Sequence, residues 1–254
     1  GLYQLDGDSL RLVEAFEGAN PVSLALGPKG AIWIGAKSSL YKRDGDQWIR
    51  RELPDDPGNI WDFHVQEDGT VWTVSPAGLQ QRQGDSVIDH AGAILSKWGL
   101  VTQSPDGAIW MGTWGAGLAR SSINSIQSWD SPHEQVHTAL ERPDGALWIA
   151  TQRGIFRFED GQFTEAFKDT RNISATDLTE DRDGNIWMTQ PWPNENRPSR
   201  VTRTDADSTV AVPDEDGLPF ERVREVFVAD NGNLWLVGGG RIVRHNGERF
   251  ERFG

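Results

Sequence analysis

Six Gly-x-x-Trp pairs recur at a near-constant period along this 254-residue chain: Gly30/Trp33, Gly69/Trp72, Gly107/Trp110, Gly145/Trp148, Gly184/Trp187 and Gly232/Trp235. Successive tryptophans lie 39, 38, 38, 39 and 48 residues apart. Self-similarity at that period means one supersecondary unit repeated in an array. The constraint reaches function as well as fold. Residues shared by every repeat build the scaffold, so activity falls to the residues that break the pattern.

Residues 134–167 show the unit. Val136–Leu140 is a short extended run, and Arg142-Pro143-Asp144-Gly145 is a turn. Ala146–Thr151 alternates and carries Trp148. Gln152-Arg153-Gly154 breaks the run, Ile155–Phe158 is a third strand, Glu159-Asp160-Gly161 a second turn, and Gln162–Phe167 a fourth strand. Four short strands joined by glycine-containing turns make an antiparallel meander. Pro105-Asp106-Gly107 and Pro143-Asp144-Gly145 suit a type I turn closed by a glycine bulge. One meander cannot bury both faces, so such units stack as propeller blades, with the repeating tryptophan wedged between neighbours. The expected fold is all-β, a β-propeller of four-stranded antiparallel blades with six complete repeats plus an N-terminal half blade at residues 1–13. The count leaves a six-bladed ring and an incomplete seven-bladed one both open. Residues 1–254 read as a single propeller domain excised from a longer chain.

Composition narrows the partners. A net charge of −13 disfavours nucleic acid and anionic membrane surfaces. With no cysteine, disulfides, thiolate metal sites and cysteine nucleophiles are excluded. Only 37% of residues are hydrophobic, but 12 Trp and 10 Phe supply large rings for a core. No apolar stretch is long enough to span a bilayer.

The units Pro105–Arg120 (PDGAIWMGTWGAGLAR) and Asp144–Arg157 (DGALWIATQRGIFR) closely resemble the two-component regulator propeller repeat, and Gly30–Leu40 (GAIWIGAKSSL) matches well. Gly69–Leu79 matches less well, and the Gly184 and Gly232 units lack the Gly-Leu half. The resemblance implies a bacterial, extracytoplasmic or periplasmic sensor standing before a membrane helix and a signalling module such as a histidine kinase or diguanylate cyclase. It also implies a small polar ligand, with oligosaccharides among the candidates. A thinner resemblance links Gly184–Gln190 and its polar insert to the virginiamycin B lyase family, which implies a metal-assisted enzyme. A protein-interaction scaffold is the third reading.

Site candidates come from the irregular loops, because the Asp-Gly turns are uniform and the opposite ends of the blades are not. Trp114 and Trp192 fall on loops between second and third strands, outside the repeating tryptophan position. Each indole is a platform for a sugar face or a lid on its own blade, with Arg153 and Arg197 on loops of the same kind. Trp61, Gly99, His137, Thr176 and Arg224 are equivalent, each eight residues before a turn glycine. Trp98 and Asp177 flank that position. The expected ligand contacts are Trp61, Trp98, Trp114, His137, Arg153, Asp177, Trp192 and Arg197, with no catalytic residue, metal or cofactor. His133 and His137 are four apart on a loop and strand, where that spacing does not place them on one face as it would in a helix. Asp181–Asn185 resembles a calcium loop but occupies a hairpin turn and lacks the later carboxylate. The 48-residue interval marks where the Trp192 loop and the connection at 212–220 depart from the repeat.

Overall fold

The computed structural model describes the chain except residues 1, 7–8, 17–20, 54–57, 91–98, 105, 116, 123–124, 134, 143, 168–173, 191–200, 205–208, 212–222, 224, 230, 239–240, 246–249 and 254. Strands β1 (Tyr3–Asp6) and β2 (Ser9–Leu12) form a two-stranded sheet. Six four-stranded sheets follow. Blade 1 is β3 (Pro21–Leu26), β4 (Ile32–Ala36), β5 (Ser39–Asp44) and β6 (Gln47–Glu52). Blade 2 is β7 (Asp62–Val65), β8 (Val71–Ser75), β9 (Gly78–Gln83) and β10 (Ser86–Asp89). Blade 3 is β11 (Gly99–Gln103), β12 (Ile109–Thr113), β13 (Leu118–Ser122) and β14 (Ser125–Trp129). Blade 4 is β15 (Val136–Glu141), β16 (Leu147–Thr151), β17 (Gly154–Glu159) and β18 (Gln162–Glu165). Blade 5 is β19 (Asp177–Glu180), β20 (Ile186–Thr189), β21 (Val201–Thr204) and β22 (Thr209–Ala211). Blade 6 is β23 (Glu225–Val228), β24 (Leu234–Gly238), β25 (Arg241–His245) and β26 (Phe250–Phe253).

In each blade the strands pair antiparallel in sequence order, and no α-helix occurs among the described residues. The fold is all-β, a six-bladed β-propeller with the additional N-terminal hairpin that the repeat count implies. Two units divide the chain. Residues 1–4 and 11–135 carry blades 1–3, and residues 5–10 and 136–254 carry blades 4–6.

The first turn of the blade has the mechanism expected from its residues. In blade 2 the Gln66 N–H donates to the Thr70 carbonyl at 2.8 Å, and the Gly69 N–H donates to the Gln66 carbonyl at 2.9 Å. Gly69 sits at φ +84°, a left-handed conformation natural to glycine. The Asp68 carboxylate accepts the Thr70 N–H at 2.9 Å, and that bond holds its pKa below the usual carboxylate value. Asp106, Asp144 and Asn231 accept the N–H two residues on in the same way. A Cβ on Gly69 would meet no atom within 4 Å, so Gly69→Ala isolates the conformational cost. We expect a loss of about 1 kcal/mol, read as a thermal midpoint lower by roughly 2–4 °C.

The tryptophans are inter-blade wedges. Trp33 packs with Phe63, Val65 and Val71 of blade 2, and Trp72 with Val101, Ile109 and Met111 of blade 3. In the second unit Trp148 packs with Ala175, Leu178 and Met188 of blade 5, and Trp187 against Val226 and Leu236 of blade 6. The third strand supplies a cation directly across the ladder. Lys42, Arg120, Arg203 and Arg244 lie 5.6, 5.6, 5.9 and 5.7 Å from the rings of Trp33, Trp110, Trp187 and Trp235. In blade 4 the cation instead comes from the first strand's end. Arg142 lies 4.7 Å from the Trp148 ring and pairs with Glu180 of blade 5 at 2.5 Å.

Candidate functional site

Each blade's 1–2 turn lies at one end and its 2–3 loop at the other. The residue ending the second strand is a buried hydroxyl in four blades: Ser75, Thr113, Thr151 and Thr189. It ties down the loop that follows. Ser75 Oγ accepts the Ala77 N–H at 3.2 Å, and Thr151 Oγ1 accepts the Arg153 N–H at 3.1 Å while donating to the Gly154 carbonyl at 2.9 Å. Arg153 is left exposed at the loop tip.

The blade 3 loop is one residue longer, and the extra length presents Trp114. Thr113 donates its N–H and its hydroxyl to the Gly117 carbonyl at 3.0 and 3.2 Å. Trp114 forms an isolated antiparallel bridge with Gln135. Gly117, at φ +76°, packs so closely that a Cβ would lie 2.3 Å from the Trp129 carbonyl oxygen and 2.7 Å from the Ser131 nitrogen. The loop is therefore pinned at its base and flank, and the Trp114 ring is half-exposed. That is the preorganisation a stacking platform needs.

Further candidates lie at the starts of the first strands. The Trp61 N–H donates to the Val74 carbonyl at 2.8 Å, and the half-buried ring packs on the Trp72–Val101–Met111 cluster. Thr176 makes the equivalent bond to the Thr189 carbonyl at 2.9 Å. The ladder register shifts between Val136 and Thr138, so His137 sits at a β-bulge. Bulges re-aim a side chain at rims and sites. Burial lowers the His137 pKa below its ordinary value, which favours the neutral imidazole.

One step further in, the residue seven before the turn glycine forms an arrangement repeated in each unit. In the first unit Ser23 Oγ of blade 1 donates to Asp62 Oδ1 of blade 2 at 2.6 Å, and the Val101 N–H of blade 3 donates to Asp62 Oδ2 at 2.9 Å. In the second unit Thr138 of blade 4 hydrogen-bonds Asp177 of blade 5, whose Oδ2 accepts the Val226 N–H of blade 6 at 2.9 Å. One carboxyl thus staples three inner strands. Both residues are partly buried, and burial raises both pKa values, Asp177 to about 7. Asp177 therefore serves the strand framework before any ligand. Ser23, Asp62 and Thr138 were not among the residues expected from sequence. Their signal was present as a hydroxyl followed one repeat later by an aspartate, in both Ser23/Asp62 and Thr138/Asp177.

Within the first unit the structure thus places Trp61 on a blade core and Trp114 on a pinned loop. Within the second it places His137 at a bulge, Arg153 at a loop tip and Asp177 in a staple. Trp98, Trp192 and Arg197 lie outside the described residues, as does most of the 189–198 loop. No group of three or more His, Asp or Glu side chains able to hold a metal occurs among the described residues. Both oxygens of Asp181 are engaged: Oδ1 accepts the Asn185 N–H at 2.9 Å and Oδ2 the Trp187 indole N–H at 2.9 Å. They act there as turn acceptors.

No family model matches the chain, and no curated protein matches its sequence. Solved structures do match. Virginiamycin B lyase from Staphylococcus aureus is 19% identical with a TM-score of 0.72, covering 93% of this chain and 85% of that one. YCF48 bound to D1 peptide is 17% identical with a TM-score of 0.67, covering 92% and 81%. The extracellular domain of a protein assigned as a hybrid two-component system from B. thetaiotaomicron is 12% identical with a TM-score of 0.57. It is covered over 97% of this chain and 43% of its own length. At these identities the likeness shows the fold, which sensors, an enzyme and a peptide-bound protein share.

Proposed function

We propose that the chain is a non-catalytic, extracytoplasmic sensor propeller that binds a small polar ligand at the loop ends of its blades and controls an attached signalling module. The observation that carries this reading is Trp114: a half-exposed indole on a loop lengthened by one residue and fixed by Thr113, Gln135 and Gly117. A fixed aromatic face flanked by hydrogen-bonding groups suits the apolar face and hydroxyl rim of a sugar, so oligosaccharides are the favoured class. Trp61, His137 and Arg153 are further proposed contacts, as are Trp98, Trp192 and Arg197. Asp177 contributes by fixing the first strand of its blade. The likeness to extracellular domains of two-component systems supports the extracytoplasmic setting and the signalling output.

The test is titration with an oligosaccharide panel followed by tryptophan fluorescence. Against whichever oligosaccharide binds, Trp114→Ala is expected to weaken affinity about tenfold, the loss of one ring-stacking contact. Unchanged affinity removes Trp114 from the site. A second reading, a lyase-like enzyme, is favoured by the lyase's coverage over 85% of its own chain. It requires turnover of quinupristin, the compound bound to the inactive lyase, that chelation abolishes, and the sensor reading expects no turnover.

A further inference from the structure

Blades 1 and 4 carry an irregularity in the same place. In blade 1 the β3–β4 register shifts between Pro21 and Ser23, and in blade 4 the β15–β16 register shifts between Val136 and Thr138. The pairs on either side correspond. Pro21 opposes Ala36 and Ser23 opposes Gly35, while Val136 opposes Thr151 and Thr138 opposes Ala150. Each bulge therefore adds one unopposed residue, Val22 in blade 1 and His137 in blade 4. Both stand eight residues before their turn glycines, Gly30 and Gly145. The corresponding ladders of blades 2, 3, 5 and 6 run without a shift. Gly99, at the same repeat position in blade 3, pairs with Thr113.

The residue after each bulge is a staple hydroxyl. Ser23 follows Val22 and donates to Asp62, and Thr138 follows His137 and hydrogen-bonds Asp177. In the regular blades that repeat position holds Asp62, Leu100, Asp177 and Glu225, none of them a hydroxyl. Bulge and staple hydroxyl thus occur together in two blades and are both missing from the other four. A physical link accounts for the coincidence. An extra residue stays at one position in a ladder only while the pairs flanking it are held in register. Ser23 and Thr138 are the first paired residues after the bulge. Each is tied to a carboxyl of the next blade that backbone N–H groups already fix, Val101 for Asp62 and Leu178 and Val226 for Asp177. Without that tie the ladder is free to take up the extra residue and pair it as blade 3 pairs Gly99. The fixture is the same in both blades, but the side chain it presents differs: an exposed Val22 and a half-buried His137.

We propose that the staples are positioning elements for two equivalent specificity positions at the loop ends of blades 1 and 4. Thr138 and Asp177 orient the His137 imidazole, and Ser23 and Asp62 orient the Val22 side chain. The specificity role rests on the reading of the loop ends as the binding surface. A neutral imidazole offers a ligand hydroxyl one donor and one acceptor, and Val22 offers an apolar contact.

Imidazole proton resonances followed by NMR against pH, without ligand and assigned with His137→Gln, test the positioning. Wild-type His137 is expected to titrate below the ordinary histidine range because it is partly buried. Thr138→Val keeps the side-chain shape and removes the hydroxyl. It should release the imidazole and move its titration up toward the ordinary range, whereas Thr138→Ser should keep the wild-type curve. Ser23→Ala should likewise shift the Val22 methyl resonances, and Ser23→Thr should leave them in place. A hydroxyl that serves stability alone would lower the unfolding midpoint yet leave the His137 and Val22 signals at their wild-type positions, and that result overturns the proposal. The binding arm uses whichever oligosaccharide of the panel binds wild type. His137→Ala and Thr138→Val should each weaken it about threefold to tenfold, and the double variant no further than His137→Ala. Additive losses, or wild-type affinity in His137→Ala, overturn the specificity role. Absence of binding by every oligosaccharide is a failure of the sensor reading instead, with the positioning already decided by the ligand-free signals.

Discussion

Asp62→Ala is expected to destabilise the fold by about 3–4 kcal/mol. The carboxyl accepts Ser23 Oγ at 2.6 Å and the Val101 N–H at 2.9 Å, so it links the inner strands of blades 1, 2 and 3. Truncation strands the partly buried Ser23 hydroxyl and Val101 N–H, each costing about 1–3 kcal/mol when left unsatisfied away from water. Relief of the buried charge offsets part of this, since burial already raises the Asp62 pKa. The thermal midpoint should fall by roughly 8–12 °C. Ser23→Ala should cost about 1 kcal/mol, and the double variant should cost less than the sum, because the first truncation removes the second's partner. A midpoint for Asp62→Ala within a degree of wild type would mean that the staple contributes nothing.

The second unit's staple should make stability depend on pH. Asp177 is pushed up to about 7 by burial, with the nearby Glu225 charge adding to the rise, against hydrogen bonds from the Val226 and Leu178 N–H groups and Thr138. Because its folded pKa lies above the unfolded value, it binds a proton more tightly in the native state. The stability it contributes is fully present below about pH 4 and is lost as pH rises through 7, over a span on the order of 4 kcal/mol. Asp62 acts in the same direction. Other carboxylates, including Asp68 and Asp106, are lowered and act oppositely, so the whole-protein profile mixes signs. Asp177→Asn separates them. Its urea-unfolding free energy relative to wild type should improve steadily between pH 5 and pH 8. A difference flat across that range would show that Asp177 is ionised throughout in the native protein.

The blade was readable in the sequence because its constraints are local. Trp148 at fixed distance from Gly145 states a turn, a strand and a wedge within a few residues, and the observed β15–β18 ladder follows that reading closely. The half blade at the N-terminus was readable for the same reason, since a four-residue third-strand pattern needs no distant partner to be recognised. The staples were not, because they join residues 39 apart through a shared carboxyl. Asp62 alone looks like any strand aspartate until Ser23 and Val101 are brought beside it. Trp61 shows the converse. Its place just before the first strand of blade 2 was legible, but its packing on Trp72 and Met111 depends on how two blades meet. The pinning of Trp114 likewise rests on Gly117 closing against Trp129 and Ser131, a contact of tertiary origin.

The proposed sensor is functionally asymmetric between the two ends of its blades, with uniform turns that hold the scaffold and varied loops proposed to bind. Calorimetric titration of wild type, Trp114→Ala and Gly69→Ala with the same oligosaccharide separates the two ends. Trp114→Ala, at the loop end, should weaken binding about tenfold with little change in the unfolding midpoint. Gly69→Ala, at the turn end, should lower the midpoint and leave affinity at the wild-type value. Affinity lost through Gly69→Ala and retained in Trp114→Ala would contradict the account and move the binding surface to the turns.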